Sequence, residues 1–374
     1  MDKDVEELLS RGVTEIIGKE NLQKKLAAGE KLRIKLGIDP TSPNLHLGRS
    51  IPLLKLRDFQ KLGHQAVLIL GDFTTVIGDT SDKDSERPMM TREAVEENKK
   101  TYFEQAGKII DLDKTELRYN SEWLEPLSYR ELGEQADQFS VADFIARDNI
   151  KKRLDAGKRV SLREVLYPLM QGYDSVAVKA NVELGGSDQR FNLLAGRTLQ
   201  EKYGQEPQSI VMGPLIEGTD GRKMSSSWGN VITLTDNPED MFGKIMSLRD
   251  ELVSRYLELC TRIPLHEVEE IGKGHPKDAK MKLAFEITNM YHGAEAAKKA
   301  KDNFENAFSK GGVPEDVRTV KAGKDAELVD ILIEEGVISS KSEFTRLNKE
   351  GAIREMENGV YRVGKHRFIR IERE

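Results

Sequence analysis

Residues 32–72 read "LRIKLGIDPTSPNLHLGRSIPLLKLRDFQKLGHQAVLILGD" and decide the fold, because they combine strand and helix periodicities. Residues 32–39 carry an apolar side chain at every second position, which predicts a strand. Residues 50–63 repeat apolar side chains at helical spacing, and residues 65–72 form a short, nearly all-apolar strand. A strand, helix and strand of this size predict a parallel βαβ unit with a right-handed connection.

A second unit follows. "DSVAVKANVELGG" (174–186) leads into the helical pattern "SDQRFNLLAGRTLQEKYG" (187–204), and "SIVMGPLI" (209–216) predicts the next strand. Two βαβ halves about a hundred residues apart predict an α/β fold with a doubly wound, Rossmann-like parallel sheet and an insertion. The insertion, about residues 92–165, has helical periodicity, so we expect it to be helical.

The last third of the chain predicts two further parts. Residues 237–312 have helical periodicity, and residues 309–316 combine Gly-Gly with Pro, which is typical of a linker. Residues 320–374 predict a small α+β module: a helix closed by Gly336, a capping box at 340–343, and a hairpin at Asn358-Gly359. We therefore expect a Rossmann-like domain over 1–220, a connection over 221–236, a helical domain over 237–312 and a terminal module over 320–374.

Composition excludes several classes of protein. The 374 residues include one cysteine, Cys260, so neither a disulfide framework nor a thiol-based zinc cluster can form. The net charge of −6 does not exclude a nucleic-acid partner, provided that the basic surface is local. The chain has no apolar leader at its N-terminus and no apolar run of membrane-spanning length, so we expect a cytoplasmic protein that does not enter a membrane.

The first candidate motif is "HLG", residues 46–48, where the first strand meets a helix N-terminus. Open parallel sheets bind ligands at such edges, and helix N-termini attract phosphate. His46 can donate a hydrogen bond to a phosphate oxygen, and Gly48 lets a flat ring lie against the backbone. Taken alone, a surface histidine beside a helix-start glycine is the more frequent explanation.

The second candidate motif is "EGTDGRKMSSSWGN", residues 217–230. Its glycines predict a mobile loop, Lys223 offers a positive charge, and its three serines can donate to phosphate oxygens. A flexible linker is the alternative. The loop follows the last strand of the second half, so it should emerge at the same sheet edge as His46. Donors that meet a leaving pyrophosphate only in the transition state would lower the barrier to its displacement.

His-x-Gly followed by Lys-Met-Ser-x-Ser resembles the signature pair of class I aminoacyl-tRNA synthetases, and this resemblance covers essentially the whole chain. "YPLMQGYD" (167–174) resembles the tyrosyl-tRNA synthetases of bacterial type, and Tyr167, Gln171 and Asp174 share one face if helical. The resemblance implies a ligase that activates L-tyrosine with ATP, accompanied by Mg²⁺, and transfers it to tRNA(Tyr). It also implies a homodimer formed through the helical insertion, with no resident metal site.

The resemblance also implies roles for individual residues. Asp174 should accept a hydrogen bond from the substrate phenol, and the other tyrosine-binding residues are Gly37, Asp39, Asp79, Tyr167, Gln171 and Gln189. The ATP-binding residues are Thr41, His46, Gly48, Arg49, Gly186, Asp188 and Lys223. The catalytic residues are His46, Lys223 and Ser225, and additional phosphate contacts are Lys83 and Arg87.

Three residues depart from the family pattern. Arg49 stands where the first motif commonly ends in histidine, and Ser226 stands where the second commonly has a lysine. Lys35 stands where many tyrosyl enzymes have a tyrosine that contacts the phenol. The sequence therefore does not identify the partner of the phenol's second hydrogen bond.

The terminal module resembles the S4 RNA-binding domain, and the helical domain before it would bind the anticodon arm. Its last segment, residues 360–371, predicts one basic face for tRNA, formed by Arg362, Lys365, Arg367 and Arg370. An ordinary solvated edge strand is the alternative.

Rival functions are a tryptophanyl-tRNA synthetase, a pantothenate synthetase and a non-catalytic RNA-binding protein derived from a synthetase. "YPLMQGYD" argues against the first two, and the terminal module argues against the second. Arg49 and Ser226 keep the third open.

Overall fold

A computed structural model describes residues 3–80, 89–309, 317–323, 326–356, 359–364 and 367–373. The chain divides into two compact units. The first unit comprises Met1–Glu217, Lys223–Thr235 and Glu258–Cys260. The second comprises Gly218–Arg222, Asp236–Leu257 and Thr261–Glu374.

The first unit is built on a six-stranded sheet. Its strands are β1 (Glu15–Ile17), β2 (Arg33–Ile38), β3 (Gln65–Leu70), β4 (Thr115–Tyr119), β5 (Val182–Gly186) and β6 (Ser209–Gly213). The order is β1-β6-β5-β2-β3-β4, and every pair is parallel except β1 with β6. The order reverses between β2 and β5, so the predicted doubly wound parallel sheet is confirmed and its switch point lies between these two strands.

Helices cover this sheet. They are α1 (Lys3–Ser10), α2 (Lys19–Ala27), α3 (Leu47–Lys61), α4 (Asp72–Ile77), α5 (Arg92–Lys99), α6 (Tyr102–Gly107), α7 (Ser121–Leu124), α8 (Tyr129–Ala136), α9 (Val141–Ile145), α10 (Asp148–Asp155), α11 (Leu162–Ala177) and α12 (Arg190–Lys202). Short 3₁₀ turns occupy Leu112–Lys114, Ser187–Gln189 and Ser226–Trp228.

The central strands carry the core of the unit. Ile34 and Leu36 of β2 and Val67, Leu68 and Ile69 of β3 are at most 2% exposed. Burying each such side chain contributes about 1.5–3 kcal/mol. This burial fixes the strands at the switch point. The strands in turn position the loops that follow them.

The prediction for the insertion was wrong in one respect. Residues 92–165 were expected to be helical, but β4 lies within them and pairs in parallel with β3. All five residues of β4 are half-buried because β4 is an edge strand, and its sequence "TELRY" lacks the apolar run of a central strand. The polar sequence therefore gave no strand signal.

The second unit begins with helices. They are α13 (Pro238–Met246), α14 (Val253–Cys260, whose last three residues group with the first unit), α15 (Leu265–Lys273), α16 (Pro276–His292) and α17 (Ala294–Ser309). Two shorter helices follow, α18 (Leu328–Glu334) and α19 (Lys341–Lys349). A four-stranded sheet completes the unit, in the order β7 (Thr319–Ala322), β10 (Arg367–Arg373), β9 (Val360–Val363) and β8 (Ile353–Glu355).

The local signals of this terminal module have clear structural counterparts. Gly336 follows α18 with φ at +67°, and the Ser340 hydroxyl at the start of α19 accepts a hydrogen bond from the Glu343 amide at 3.2 Å. β8 and β9 form an antiparallel hairpin, and Gly359, with φ at +68°, directly precedes β9. Asn358 and residues 310–316 lie outside the described residues.

Within the described parts of the chain, no helix combines the length and the apolar composition that a membrane crossing requires.

Candidate active site

Doubly wound sheets bind ligands in a crevice at their switch point, which here lies at the carboxyl ends of β2 and β5. Gly37 is the one exposed residue of β2, although the strand is central, and a Cβ placed on it would enter open space. Asp39 follows the carboxyl end of β2, while Gly186 ends β5 and Asp188 follows it. The predicted site residues of both halves of the fold therefore surround one opening, as expected for a doubly wound sheet.

The imidazole of His46 lies directly against Gly48. A Cβ on Gly48 would be 3.1 Å from both Cε1 and Nδ1 of the ring, so any larger residue would push the ring away. His46 is 7% exposed, and its buried Nδ1 has no hydrogen-bond partner among the described residues. Burial first, and then the charges of Arg49 and Lys223, lower the pKa of His46 to about 3. The ring is therefore neutral at physiological pH.

The second motif lies against the first. The Gly48 amide donates to Sδ of Met224 at 3.3 Å, and the hydroxyls of Ser42 and Ser226 are 3.1 Å apart. Residues 45–47 also exchange backbone hydrogen bonds with residues 232–234. Ser226, at the position where the family commonly has a lysine, thus contacts the turn that precedes His46.

The side chain of Asn230 makes two internal hydrogen bonds that hold the second motif together. Its amide oxygen accepts from the Ser225 backbone at 2.9 Å, and its amide nitrogen donates to the Lys223 carbonyl at 3.0 Å. Because Asn230 is 2% exposed, these bonds are shielded from water. They fix the backbone on both sides of Met224.

The ammonium of Lys223 contacts Asp188. Its Nζ is 2.9 Å from Oδ2 of Asp188, and both side chains are partly exposed at the crevice. A Cβ on Gly186 would be 2.5 Å from Oδ1 of the same carboxylate, so glycine is required for this approach. The loop cation, His46 and the end of β5 therefore meet at one place.

Arg49 orders the turn between β2 and α3. Its guanidinium donates to the Asp39 carbonyl at 3.0 Å and to the Thr41 hydroxyl at 3.1 Å. An imidazole at this position would be shorter and could not make both bonds from the same backbone site.

Asp39 and Tyr167 face each other across the crevice. The Tyr167 hydroxyl donates to Oδ2 of Asp39 at 2.9 Å, and the Thr74 hydroxyl donates to Oδ1 at 2.8 Å. Burial raises the pKa of Asp39 to about 6, although the bonds from Thr74 and Tyr167 oppose the shift. Burial also raises the pKa of Tyr167, so its hydroxyl remains a donor.

Asp174 lies deeper, on α11, and is 3% exposed. The Trp123 indole nitrogen donates to its Oδ1 at 2.8 Å, and the Asn120 amide lies 3.4 Å from its Oδ2. Burial raises the pKa of Asp174 to about 7, while the charge of Lys35 and these two donors lower it. The carboxylate keeps acceptor capacity for one further donor.

A row of amides links the remaining tyrosine-binding candidates. The Gln189 amide donates to Asp79 at 2.8 Å, and Asn192 donates to both Gln189 at 2.9 Å and Gln171 at 3.1 Å. Asp79, Gln189 and Gln171 are therefore brought together, although they come from three separate segments.

Sequence reasoning missed four polar residues of the site: Thr74, Asn120, Trp123 and Asn192. Asn120 and Trp123 directly follow β4, the strand that the sequence did not reveal. Asn192 comes three residues after Gln189 at the start of α12, a spacing that places both on one helical face. That spacing was the available signal.

The predicted basic face is formed only in part. Arg362 of β9 pairs in register with Phe368 of β10, and Arg370 lies two residues farther along β10 on the same face. Arg354 of β8, which was not predicted, pairs with Arg362. Arg367 does not share this face, because its register partner is the core residue Val363, and it donates to Glu343 at 3.1 Å. Lys365 lies outside the described residues.

Two other candidates, Lys83 and Arg87, also lie outside the described residues. Among the residues that are described, no three histidine, cysteine, aspartate or glutamate side chains converge as a metal-binding group.

The residues gathered here offer both hydrogen-bond donors and acceptors. The neutral His46 and the cationic Lys223 can donate to phosphate oxygens, and Asp39, Asp79 and Asp174 can accept from a ligand's ammonium and hydroxyl groups. An amino acid with a polar tip, placed beside a nucleotide, matches this distribution of groups.

Comparisons with known proteins agree. The family model described as "tRNA synthetases class I (W and Y)" matches residues 4–309. The chain is 46% identical to the tyrosine–tRNA ligase of Thermotoga maritima over 97% of this chain and 96% of that one. It is 44% identical to that of Oleidesulfovibrio alaskensis over 99% of both chains.

Among solved structures, a C-terminally truncated mitochondrial tyrosyl-tRNA synthetase from Coccidioides posadasii matches with a TM-score of 0.65 and 25% identity. The match covers 80% of this chain and 90% of that one. The chain therefore belongs to the class I tRNA synthetases of the tryptophan and tyrosine kind, and within them to the tyrosyl-tRNA synthetases of bacterial type.

Proposed function

We propose that this chain ligates L-tyrosine to tRNA(Tyr) in two steps, the activity for which its curated relatives are named. In the first step tyrosine and ATP give tyrosyl-adenylate and pyrophosphate. In the second step a hydroxyl of the terminal ribose of the tRNA takes the tyrosyl group. The observation that carries the proposal is the meeting of His46, Lys223 and Asp188 beside the switch point, together with the buried acceptor Asp174.

Tyrosine binds with its phenol at Asp174. The phenolic hydroxyl donates to this carboxylate, whose Oδ1 is already oriented by Trp123. Phenylalanine would leave the buried acceptor without that donor, which disfavours it strongly. The acceptors Asp79, Tyr167 and Gln171, with Asp39 behind Tyr167, surround the α-ammonium, and Gln189 lies near the carboxylate.

ATP binds across the switch point. Asp188 binds the ribose, while Thr41, Gly48, Arg49 and Gly186 line the nucleotide. The tyrosine carboxylate attacks the α-phosphorus in line, the bond to the pyrophosphate oxygen breaks, and the leaving group takes the extra negative charge. His46, Lys223 and Ser225 donate to that developing charge, and a neutral imidazole can do so without titrating near pH 7.

No side chain is needed as a covalent nucleophile, because positioning and charge stabilisation supply the rate. Mg²⁺ bound to ATP would neutralise part of the charge on its phosphates. We assign the ion to the substrate, because Mg²⁺ in nucleotide sites is commonly held by substrate phosphates together with one or two carboxylates.

The remaining parts of the chain serve tRNA binding and assembly. We assign residues 237–312 to an anticodon-binding domain and residues 320–374 to an S4-like domain, whose Arg362, Arg370 and Arg354 bind tRNA phosphates together with Lys365. We assign residues 1–220 to the catalytic domain and 221–236 to a mobile connection. One cysteine in the chain fits a reducing compartment, so we place the activity in the cytoplasm.

A homodimer fits the surface of the insertion. Tyr129 is 94% exposed, Val141 74% and Leu162 71%, which is unusual for large apolar side chains within one segment. A second copy of the chain would cover them, and sedimentation equilibrium would detect the dimer.

Tyrosine-dependent exchange of label between pyrophosphate and ATP tests the function. The wild-type chain should catalyse the exchange with tyrosine and not with tryptophan. Lys223→Ala should lower the exchange rate by about a hundredfold, since one transition-state donor is worth that much, while the tyrosine dissociation constant stays within twofold.

A wild-type chain that binds tRNA but catalyses no exchange would instead support a non-catalytic RNA-binding protein. An equal loss of tyrosine affinity and rate in Lys223→Ala would contradict the role of Lys223 in the transition state.

A further inference from the structure

Lys35 is fully buried beneath the tyrosine-binding face of α11. Its Nζ donates to the Gln171 carbonyl at 3.0 Å, to the Ser175 hydroxyl at 2.8 Å and to Oε1 of Glu183 at 2.8 Å. An ammonium group has three protons, and all three are used. Lys35 therefore has no donor left for the phenol, so its effect on tyrosine must act through these partners.

Glu183 is the matching anion. It is the register partner of Lys35 on the neighbouring strand β5, and its side chain is 2% exposed. Its Oε2 accepts from the Ser175 hydroxyl at 3.0 Å and also from the Gln208 amide. Its Oε1, besides accepting from Lys35, lies 3.4 Å from the amide nitrogen of Gln171. In each of these hydrogen bonds Glu183 is thus the acceptor.

This contact decides which way the amide of Gln171 points. A primary amide has a donating end and an accepting end, and an ionised carboxylate can only accept. Glu183 therefore holds Nε2 of Gln171, and Oε1 is left on the other side, where it accepts from Asn192 at 3.1 Å. A ligand's α-ammonium needs an acceptor, which only this orientation of the amide supplies.

We propose that the buried Lys35–Glu183 ion pair is a positioning device that fixes the Gln171 amide with its oxygen toward the α-ammonium of the bound amino acid. The inference rests on the proposed function and deepens it. Glu183 acts as the orienting acceptor, and its 2.8 Å contact with Lys35 holds the carboxylate in place. Without this ion pair the Gln171 amide would lose the fixed acceptor that sets its orientation.

Two ligands separate this role from general support of the fold. Tyramine carries the phenol and the ammonium of tyrosine but no carboxylate. 3-(4-Hydroxyphenyl)propanoate carries the phenol and the carboxylate but no ammonium. Only tyramine and tyrosine depend on the orientation of Gln171.

The experiment measures dissociation constants of the full-length chain for tyrosine, tyramine and 3-(4-hydroxyphenyl)propanoate by calorimetry. The main variant, Lys35→Met with Glu183→Gln, removes both charges and nearly keeps the shape, so no buried charge is left unpaired. It should weaken tyrosine and tyramine about tenfold, the worth of one charge-assisted hydrogen bond, and change the propanoate less than twofold.

The matched control is Arg33→Met. Arg33 lies two residues before Lys35 on β2, pairs with Glu116 at 2.7 Å and donates to Val178 directly after α11 at 2.8 Å, but does not reach Gln171. It should leave all three constants within twofold. If circular dichroism shows the double variant unfolded, Glu183→Asp takes its place, because it keeps the charge opposite Lys35 but withdraws the carboxylate from Gln171 by one methylene; the same selectivity is expected.

An equal loss for all three ligands, or no loss for tyramine, would overturn the positioning role. The proposed function is judged separately, on whether the wild-type chain binds tyrosine and catalyses the exchange reaction.

Discussion

Burial shifts the pKa values of several side chains at the candidate site, and the shifts of three of them suit different tasks. The pKa of His46 falls to about 3, so the ring stays a neutral donor. The pKa of Asp39 rises to about 6 and that of Asp174 to about 7, in both cases because burial disfavours the carboxylate. Of these three groups, Asp174 titrates closest to neutral pH, and in the proposed mechanism it also contacts the substrate phenol.

The preference for tyrosine over phenylalanine should depend on pH. Above pH 7 Asp174 is ionised, so it accepts from the phenol and opposes phenylalanine; below pH 7 it is protonated and both effects weaken. The ratio of kcat/KM for the two amino acids should rise about tenfold between pH 6 and pH 8. Asp39 acts on the ammonium that both amino acids share, so its titration cancels in the ratio.

Pyrophosphate exchange measured from pH 6 to pH 8.5 with each amino acid checks this. The Asp174→Asn variant should show a flat ratio. A wild-type ratio that does not change with pH would contradict the assignment of Asp174.

Gly48 should tolerate no side chain, because its missing Cβ makes room for the ring of His46. Gly48→Ala should displace the imidazole and lower the rate of adenylate formation about tenfold to a hundredfold, with tyrosine affinity unchanged. Single-turnover kinetics measures this rate. Gly133→Ala is the control, since a Cβ there meets nothing within 4 Å, and a similar rate loss in both variants would refute the steric explanation.

At the residue scale the sequence revealed groups that belong to short motifs and missed their partners. His46, Gly48, Lys223 and Asp174 stand in local patterns whose residue types point to a chemistry. Trp123 touches Asp174 from 51 positions away in the chain, and no local pattern encodes such a contact. The departure at Lys35 was visible, but its explanation required Glu183, which only the pairing of β2 with β5 brings beside it.

Among the strands, those buried in the middle of the sheet were easier to predict from the sequence than the edge strand. The strands β2, β3, β5 and β6 are central and apolar, and their periodicity identified them. The edge strand β4 is half-buried and polar, so helical periodicity around it dominated the prediction. This mattered for the site, because Asn120 and the helix α7 with Trp123 follow β4 directly.

The loop 223–230 depends on one internal side chain. Asn230→Ala removes the bonds to the Ser225 amide and the Lys223 carbonyl, which fix the loop beside Gly48. The Michaelis constant for ATP should rise, or kcat should fall, so that kcat/KM for ATP drops about tenfold, while tyrosine affinity stays unchanged. Initial rates of pyrophosphate exchange at varied ATP measure it.

Asn21→Ala removes the same type of side chain from α2, where it contacts Glu206, and should leave these constants unchanged. A loss of tyrosine affinity in Asn230→Ala would show that the side chain supports the whole crevice rather than the loop.

For the whole molecule, the residues proposed for amino-acid activation lie in the first unit, and the proposed tRNA-binding arginines lie in the second. Arg362→Ala with Arg370→Ala should weaken tRNA binding and reduce the slope of log Kd against log salt by about one to two, because each phosphate contact contributes nearly one. Pyrophosphate exchange without tRNA should be unaffected.

Filter binding at several salt concentrations measures the slope. Lys341→Ala, an exposed cation of α19 that pairs with Asp330, is the control and should keep the wild-type slope. If both variants reduce the slope equally, the face that contains Arg362 and Arg370 is not the specific contact.

The succession of a sheet with helices, a run of helices and a terminal α+β segment was predictable, because periodicity and turn chemistry differ between the three. The face of Arg367 was also predictable, since it lies three residues before Arg370 on one strand and alternation puts such residues on opposite faces. The pairing of Arg362 with Phe368, which places Arg362 on the face of Arg370, was not predictable. Register is a property of two strands together, and one strand's sequence does not determine it.

The contact between Lys223 and Asp188 means that nucleotide entry in the proposed mechanism is an exchange of partners rather than a simple addition. The ribose must bind the carboxylate of Asp188, which already holds the ammonium of Lys223. The ammonium is released just as the triphosphate arrives beside it. An inorganic phosphate brings no sugar, so it would have to draw the ammonium away from the carboxylate by its charge alone, whereas a nucleotide supplies both partners of the exchange.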